Sequence, residues 1–275
     1  MKDILESLKI LNDFDVHIAY NLLMFELDTN LEDILINLRF IERHIDNPFN
    51  FCRAEAYAGT GLEQKLLAQG RLLGDYFGID YRLKDPRAEA FHQIANYAFF
   101  DRNFSNSGLH YFNMQVDFYF QLLRRFYPEL LTQGLRGTVR NFIKYTNLDT
   151  YECLCRIYDF VEAVNPDHRL LVEEFSQDMR QRVDSRSYEL RLQGERLLER
   201  LEAVYRDRDK TDKPAASFIS QVDLPLLQGR PEPYAGLSAL TQSSNMELMS
   251  DMDLFGLAPA PIPYDVFKRQ MSSHD

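Results

Sequence analysis

Apolar residues recur at steps of three and four along residues 1–213, and the period-two alternation expected of half-buried strands is nearly absent. The expected fold is all-α. Leu31, Ile34, Leu35, Leu38, Ile41 and Ile45 form one stripe, with Thr29 or Asn30 as its cap and Asp46-Asn47-Pro48 as its stop. The same periodicity predicts helices over 62–77, 86–100, 108–126, 128–145 and 149–164. A long helix is predicted over 166–206, because Asn165, a capping residue, precedes proline at the first helical position. Asp184-Ser185 is the one place where it would break in two. Leu190, Leu197, Leu201 and Val204 lie at heptad-compatible positions along it, a narrow seam that packs within its own domain or builds a coiled-coil homodimer. Gly194 falls inside that seam and weakens the coiled-coil alternative.

Prolines mark the organisation, since a residue lacking an N–H and holding φ fixed interrupts helices beyond their first turn. Residues 1–213 contain four, Pro48, Pro86, Pro128 and Pro166, spaced by 38, 42 and 38 residues. That rhythm suits helix pairs, stacked as an α-solenoid of hairpins or gathered into a large bundle. Residues 214–275 hold the other seven prolines and the polar run Thr241-Gln242-Ser243-Ser244-Asn245. The expected organisation is therefore a helical domain over 1–210 and a largely unstructured Pro-rich acidic tail over 211–275, with a short helix at 245–257.

Composition changes this picture little, but charge narrows the partners. The chain of 275 residues carries a formal charge of −11, divided as −7 before residue 214 and −4 after it. A general nucleic-acid binder must offset phosphate charge, so no nucleic acid is expected. The chain has no apolar run long enough to span a bilayer and no basic-then-apolar leader at Met1-Lys2-Asp3-Ile4, and Cys52, Cys153 and Cys155 cannot pair evenly. A cytoplasmic location is the expectation, with peripheral membrane contact still open.

Candidate chemistry is sparse. One Glu-x-x-His, Glu89-Ala90-Phe91-His92, puts both side chains on one helix face, but a di-iron bundle needs a second copy. His17, His44, His92, His110, His168 and His274 contain no pair at the zinc-gripping i, i+4 spacing. There is no G-x-S-x-G elbow, and Gly59-Thr60-Gly61 lacks the third glycine and the lysine of a phosphate loop. No catalytic residue, metal or cofactor is assigned; a helical enzyme working through Glu89 and His92 stays as an alternative. Aromatic clusters such as Phe118-Tyr119-Phe120 are read as core. Arg136, Arg140 and Lys144 share a helix face and form the candidate anion site, against a solvated face as the plainer reading.

The tail carries the sharper signal. Met249, Met252, Asp253, Leu254, Phe255 and Leu257 belong to a short amphipathic stretch interleaved with the acids Glu247 and Asp251, the pattern of a segment that folds into a partner's groove or docks back on its own domain. Asp253-Leu254-Phe255-Gly256-Leu257 resembles a tail motif of clathrin adaptors, and Asn47-Pro48-Phe49 matches the tripeptide read by EH domains. Gly134-Leu135, Val139, Phe142-Ile143, Glu152, Leu154 and Ile157-Tyr158 resemble a segment of ANTH-domain clathrin-assembly proteins over about 25 residues. The resemblance implies a helical adaptor that recruits other proteins through its tail in vesicle-coat trafficking. It does not extend to phosphoinositide binding, because the basic patch of that family has no counterpart among Lys2, Lys9 and His17. A transcriptional or signalling regulator with an acidic-hydrophobic tail is the alternative.

Overall fold

A computed structural model describes residues 2–14, 16, 18–75 and 78–206. The tail positions Met249, Met252, Asp253, Leu254, Phe255 and Leu257 lie outside them. The described chain is predominantly helical, as its apolar periodicity dictates: α1 (Lys2–Asp13), α2 (Leu31–Arg43), α3 (Gly61–Ala68), α4 (Pro86–Phe104), α5 (Leu109–Phe126), α6 (Gln133–Ala163) and α7 (Arg169–Arg206). Four short strands accompany them, β1 (Tyr20–Phe25), β2 (Phe49–Arg53), β3 (Leu72–Asp75) and β4 (Gly78–Tyr81).

β1 and β2 pair in parallel, Tyr20 opposite Phe49, with α2 as the crossover. β2 escaped the period test for a physical reason. Every residue of β2 is buried, so both faces of the strand are filled and no alternation remains to be read. α2 itself forms as expected: Asn30 accepts from the backbone N–H of Glu32 and Asp33, Asp33 reaches back to Asn30, and Ile34, Leu38 and Ile41 are buried. The helix expected over 62–77 stops at Ala68, and β3 falls in its second half, paired antiparallel with β4 just beyond it. Gly74 sits there at φ 77°, pressed against the Gly78 carbonyl where no side chain fits.

α4 starts on Asp85, which caps Arg87 N at 2.8 Å and accepts from Leu31 N at 3.2 Å, tying two helix starts together. Ala88, Phe91, Ile94, Ala95, Ala98 and Phe99 bury most of its circumference, making it the central helix. Where two helices were expected over 128–145 and 149–164, a three-residue 3₁₀ turn at Pro128–Leu130 precedes one continuous α6. The capping-type residues at 147–150 look like a break in the sequence, but their side chains bond across to other elements instead. α7 begins three residues beyond Pro166: Asn165 Oδ1 accepts from Asp167 N at 3.1 Å and forms a turn rather than the cap. It then runs 38 residues, about 57 Å at 1.5 Å per residue, without breaking at Asp184-Ser185.

The long helices are antiparallel, and both pack against α4 and α5, which follow one another along them. This is a bundle rather than a stack of hairpins. Leu190, Leu197 and Leu201 of α7 are buried against α5 and α6, so the heptad-like seam is filled within its own chain.

Candidate functional site

Glu89 and His92 do share a face of α4, and the structure gives both structural surroundings. Glu89 Oε2 accepts from Leu83 N at 2.8 Å and Oε1 from Gln93 Nε2 at 2.7 Å, while burial pushes its carboxyl above the usual range. His92 lies edge-on to Phe25, with ring centroids 4.9 Å apart. Its enclosure, aided by the Arg53 charge, holds its pKa well below that of an ordinary imidazole. Arg53, from β2, donates to Tyr81 O at 2.8 Å, pairs with Asp80 at 2.5 Å and lies over the Tyr81 ring at 4.7 Å. Tyr81 donates in turn to Ala54 O, and burial raises its hydroxyl to about 12. Arg53 therefore pins the β3–β4 pair to β2. The void beside it, lined by Phe25, Phe51, Arg53, His92 and Asn103, measures about 10 Å³, far below the size of a substrate pocket. Among the described residues no three Asp, Glu, His or Cys side chains gather as a metal site.

The thiols are equally structural. Burial raises Cys52, Cys153 and Cys155, which removes the thiolate character a nucleophile needs. In the candidate anion site, Arg136 donates to Leu131 O at 3.2 Å and to Pro128 O at 3.1 Å, closing the 3₁₀ turn. Arg140 and Lys144 are exposed on the next turns of α6. The residues behind the clathrin-assembly resemblance, from Gly134 to Tyr158, all lie on α6.

A different surface stands out. α5 turns Val116, Phe120 and Leu123 inward, and at 100° per residue a run of adjacent aromatics cannot all follow them. Phe118, Leu122 and Phe126, at i, i+4 and i+8, face the other way. Together with Phe14 and Val16 from the segment after α1, and with Gln121 and Arg125, they line a groove of about 480 Å³. Phe14 is 74% exposed, Phe126 49% and Phe118 36%. α1 extends this apolar character through Ile4, Leu5, Ile10 and Leu11, all exposed. Sequence reasoning assigned Phe118 to the core. The signal that separates it was available, since three consecutive aromatics sweep about 200° of helix surface and must place one outside. Comparison of the chain with family models, characterised proteins and solved structures gave no match.

Proposed function

We propose that this protein is a non-catalytic helical adaptor that recruits other proteins through the acidic-hydrophobic segment of its tail, with the bundle as the rigid holder. The observation that supports this most is the division of polar and apolar groups on the folded part. Glu89, His92, Arg53 and the thiols are spent on internal bonding and burial, whereas large rings at Phe14, Phe118 and Phe126 line an open groove. Exposed apolar patches of this kind favour contact with polypeptide rather than chemistry on a small substrate. Within this reading Leu254, Phe255 and Leu257 enter a partner's apolar groove and Asp251 and Asp253 meet its basic rim. The adaptor-like sequence Asp253-Leu254-Phe255-Gly256-Leu257 makes a cytoplasmic vesicle coat the specific setting. The test is affinity capture by the full chain, by its Phe255→Ala variant and by a chain ending at Lys213. The last two should lose the same partner by at least about tenfold, as expected of a central aromatic anchor, with unchanged circular dichroism for Phe255→Ala. Equal capture by all three would end the proposal.

A further inference from the structure

We infer that the groove between Phe14 and α5 is the resting seat of residues 246–257 of the same chain, so that the bundle covers its own docking motif. The choice of segment rests on the adaptor reading above. The groove, the exit point of the chain and the charge pattern are independent of it.

Position comes first. α7 ends at Arg206, and the ring of Tyr205 meets that of Tyr127 at 5.7 Å. Tyr127 directly follows Phe126, one of the groove's lining residues. The described end of α7 therefore lies beside the end of the groove, and 69 residues, 207–275, follow it in sequence. Thirty-nine residues separate Arg206 from Met246. Random-coil statistics for that number of residues give a root-mean-square span of roughly 35 Å, while the stretch from Phe118 to Phe126 covers about 12 Å of helix. The tether is long enough to reach and short enough to hold the segment at about millimolar effective concentration.

Chemistry selects the segment. Residues 246–257 carry Met249, Met252 and Phe255 at steps of three, the spacing by which an amphipathic segment grips an apolar groove. Methionine adapts its shape to irregular aromatic walls. Glu247, Asp251 and Asp253 accompany them and no basic residue does, whereas the titratable lining residue of the groove is Arg125. Two copies of the bundle meeting groove to groove would be a poorer solution. Two-fold contact brings like surface to like and offers Arg125 another arginine.

Hydrogen exchange of the full chain at low micromolar concentration tests this, comparing the wild type with Phe255→Ala, Arg125→Glu and the charge-swapped pair Arg125→Glu/Asp251→Arg. Amides of 246–257 should exchange at least about tenfold more slowly in the wild type than in either single variant, and the pair should recover most of the slowing. Arg125 is exposed, so its replacement should leave circular dichroism unchanged. Equal exchange in all four proteins, or slowing that survives both single substitutions, would overturn the inference. Slowing that grows with protein concentration would also overturn it, by assigning the segment to a second copy. The two readings separate cleanly, because exchange needs no partner. Slow exchange with no Phe255-dependent capture removes the adaptor reading alone, and fast exchange with strong capture removes the covered groove alone. If both hold, Arg125→Glu should capture several-fold more partner than the wild type.

Discussion

The bundle has two apolar cores built in different ways. The first gathers β1, β2, α2, α4, the C-terminal half of α6 and the N-terminal half of α7 around Phe25, Phe51, Phe91 and Phe99. The second is helices alone, with Leu109, Val116, Leu135, Val139, Leu190 and Leu197 drawn from α5 and the opposite halves of α6 and α7. Two cores would ordinarily suggest two domains. Here they share two helices, and a polar layer marks the border between them. Arg102 of α4 is buried there, pairing with Asp149 at 2.7 Å and donating to Ser187 Oγ at 2.8 Å, Thr150 Oγ1 at 3.2 Å and Val183 O at 3.1 Å. Asn147 accepts from Asn113 at 2.8 Å and donates to Ile45 O at 2.7 Å and Asn47 O at 2.8 Å. Apolar contacts slide at low cost, whereas a guanidinium with four assigned acceptors does not. The layer fixes how far α6 and α7 slide past each other, so it sets the register of both cores at once.

The strongest way to break this arrangement is Arg102→Ala, which leaves Asp149 buried beside the emptied site. It should cost about 3–5 kcal/mol and loosen both cores together, seen as a single shifted urea transition by circular dichroism. Loss confined to one core would show that the layer does not couple them. The paired replacement Arg102→Met/Asp149→Leu should recover most of that stability, since an apolar pair of similar size replaces a costly buried charge pair.

Next in size is an acid effect that tells the cores apart. His92 lies in the first core, and His110, bonded to the backbone of Phe49, ties α5 to β2. Burial holds His92 well below the usual imidazole range and pushes His110 down to about 4. Below about pH 6.5 the unfolded chain takes up protons that the folded chain refuses until nearer pH 4, so stability falls as pH drops through that window. Among the described residues no histidine belongs to the second core. Amides of β2 and α4 should therefore lose exchange protection before those in the C-terminal half of α7, and His110→Gln should flatten the pH dependence. Earlier loss in α7 than in β2 and α4 would show that these histidines do not set the acid response.

The smallest effect sharpens the second core. An exposed helical glycine replaced by alanine usually gains about 1 kcal/mol. At Gly194 the added carbon would sit 2.8 Å from Phe142 Cζ and 3.4 Å from Phe112 Cβ, both part of that core's packing. Gly194→Ala should instead cost about 1 kcal/mol or more, lowering the urea midpoint. A raised midpoint would show that the ring yields.

The same contrast governs what the sequence disclosed. The second core was readable because its helices keep a solvent face, so periodicity survives in α5 and the seam of α7. The first core was less so. Residues buried on every side carry no alternation, which hid β2, and bulky residues around 72–81 suit strand and helix alike. Asn147 and Asp149 misled for another reason: a side chain that could cap a helix can also bond to a distant partner, and only the fold decides. The groove at Phe118 was legible in angular terms. Its companions Phe14 and Val16 were not, because they arrive from more than a hundred residues away.

The bond from Asn147 to Ile45 spans 102 residues and carries a consequence for how the chain is made. At roughly 5–20 residues per second, the parallel β1–β2 pair and the apolar face of α2 emerge some 5–20 s before the part of α6 that covers them. Through that interval nascent hydrophobic surface waits for its cover, so slowing elongation between residues 50 and 147 should cost yield, and a holdase chaperone should restore it.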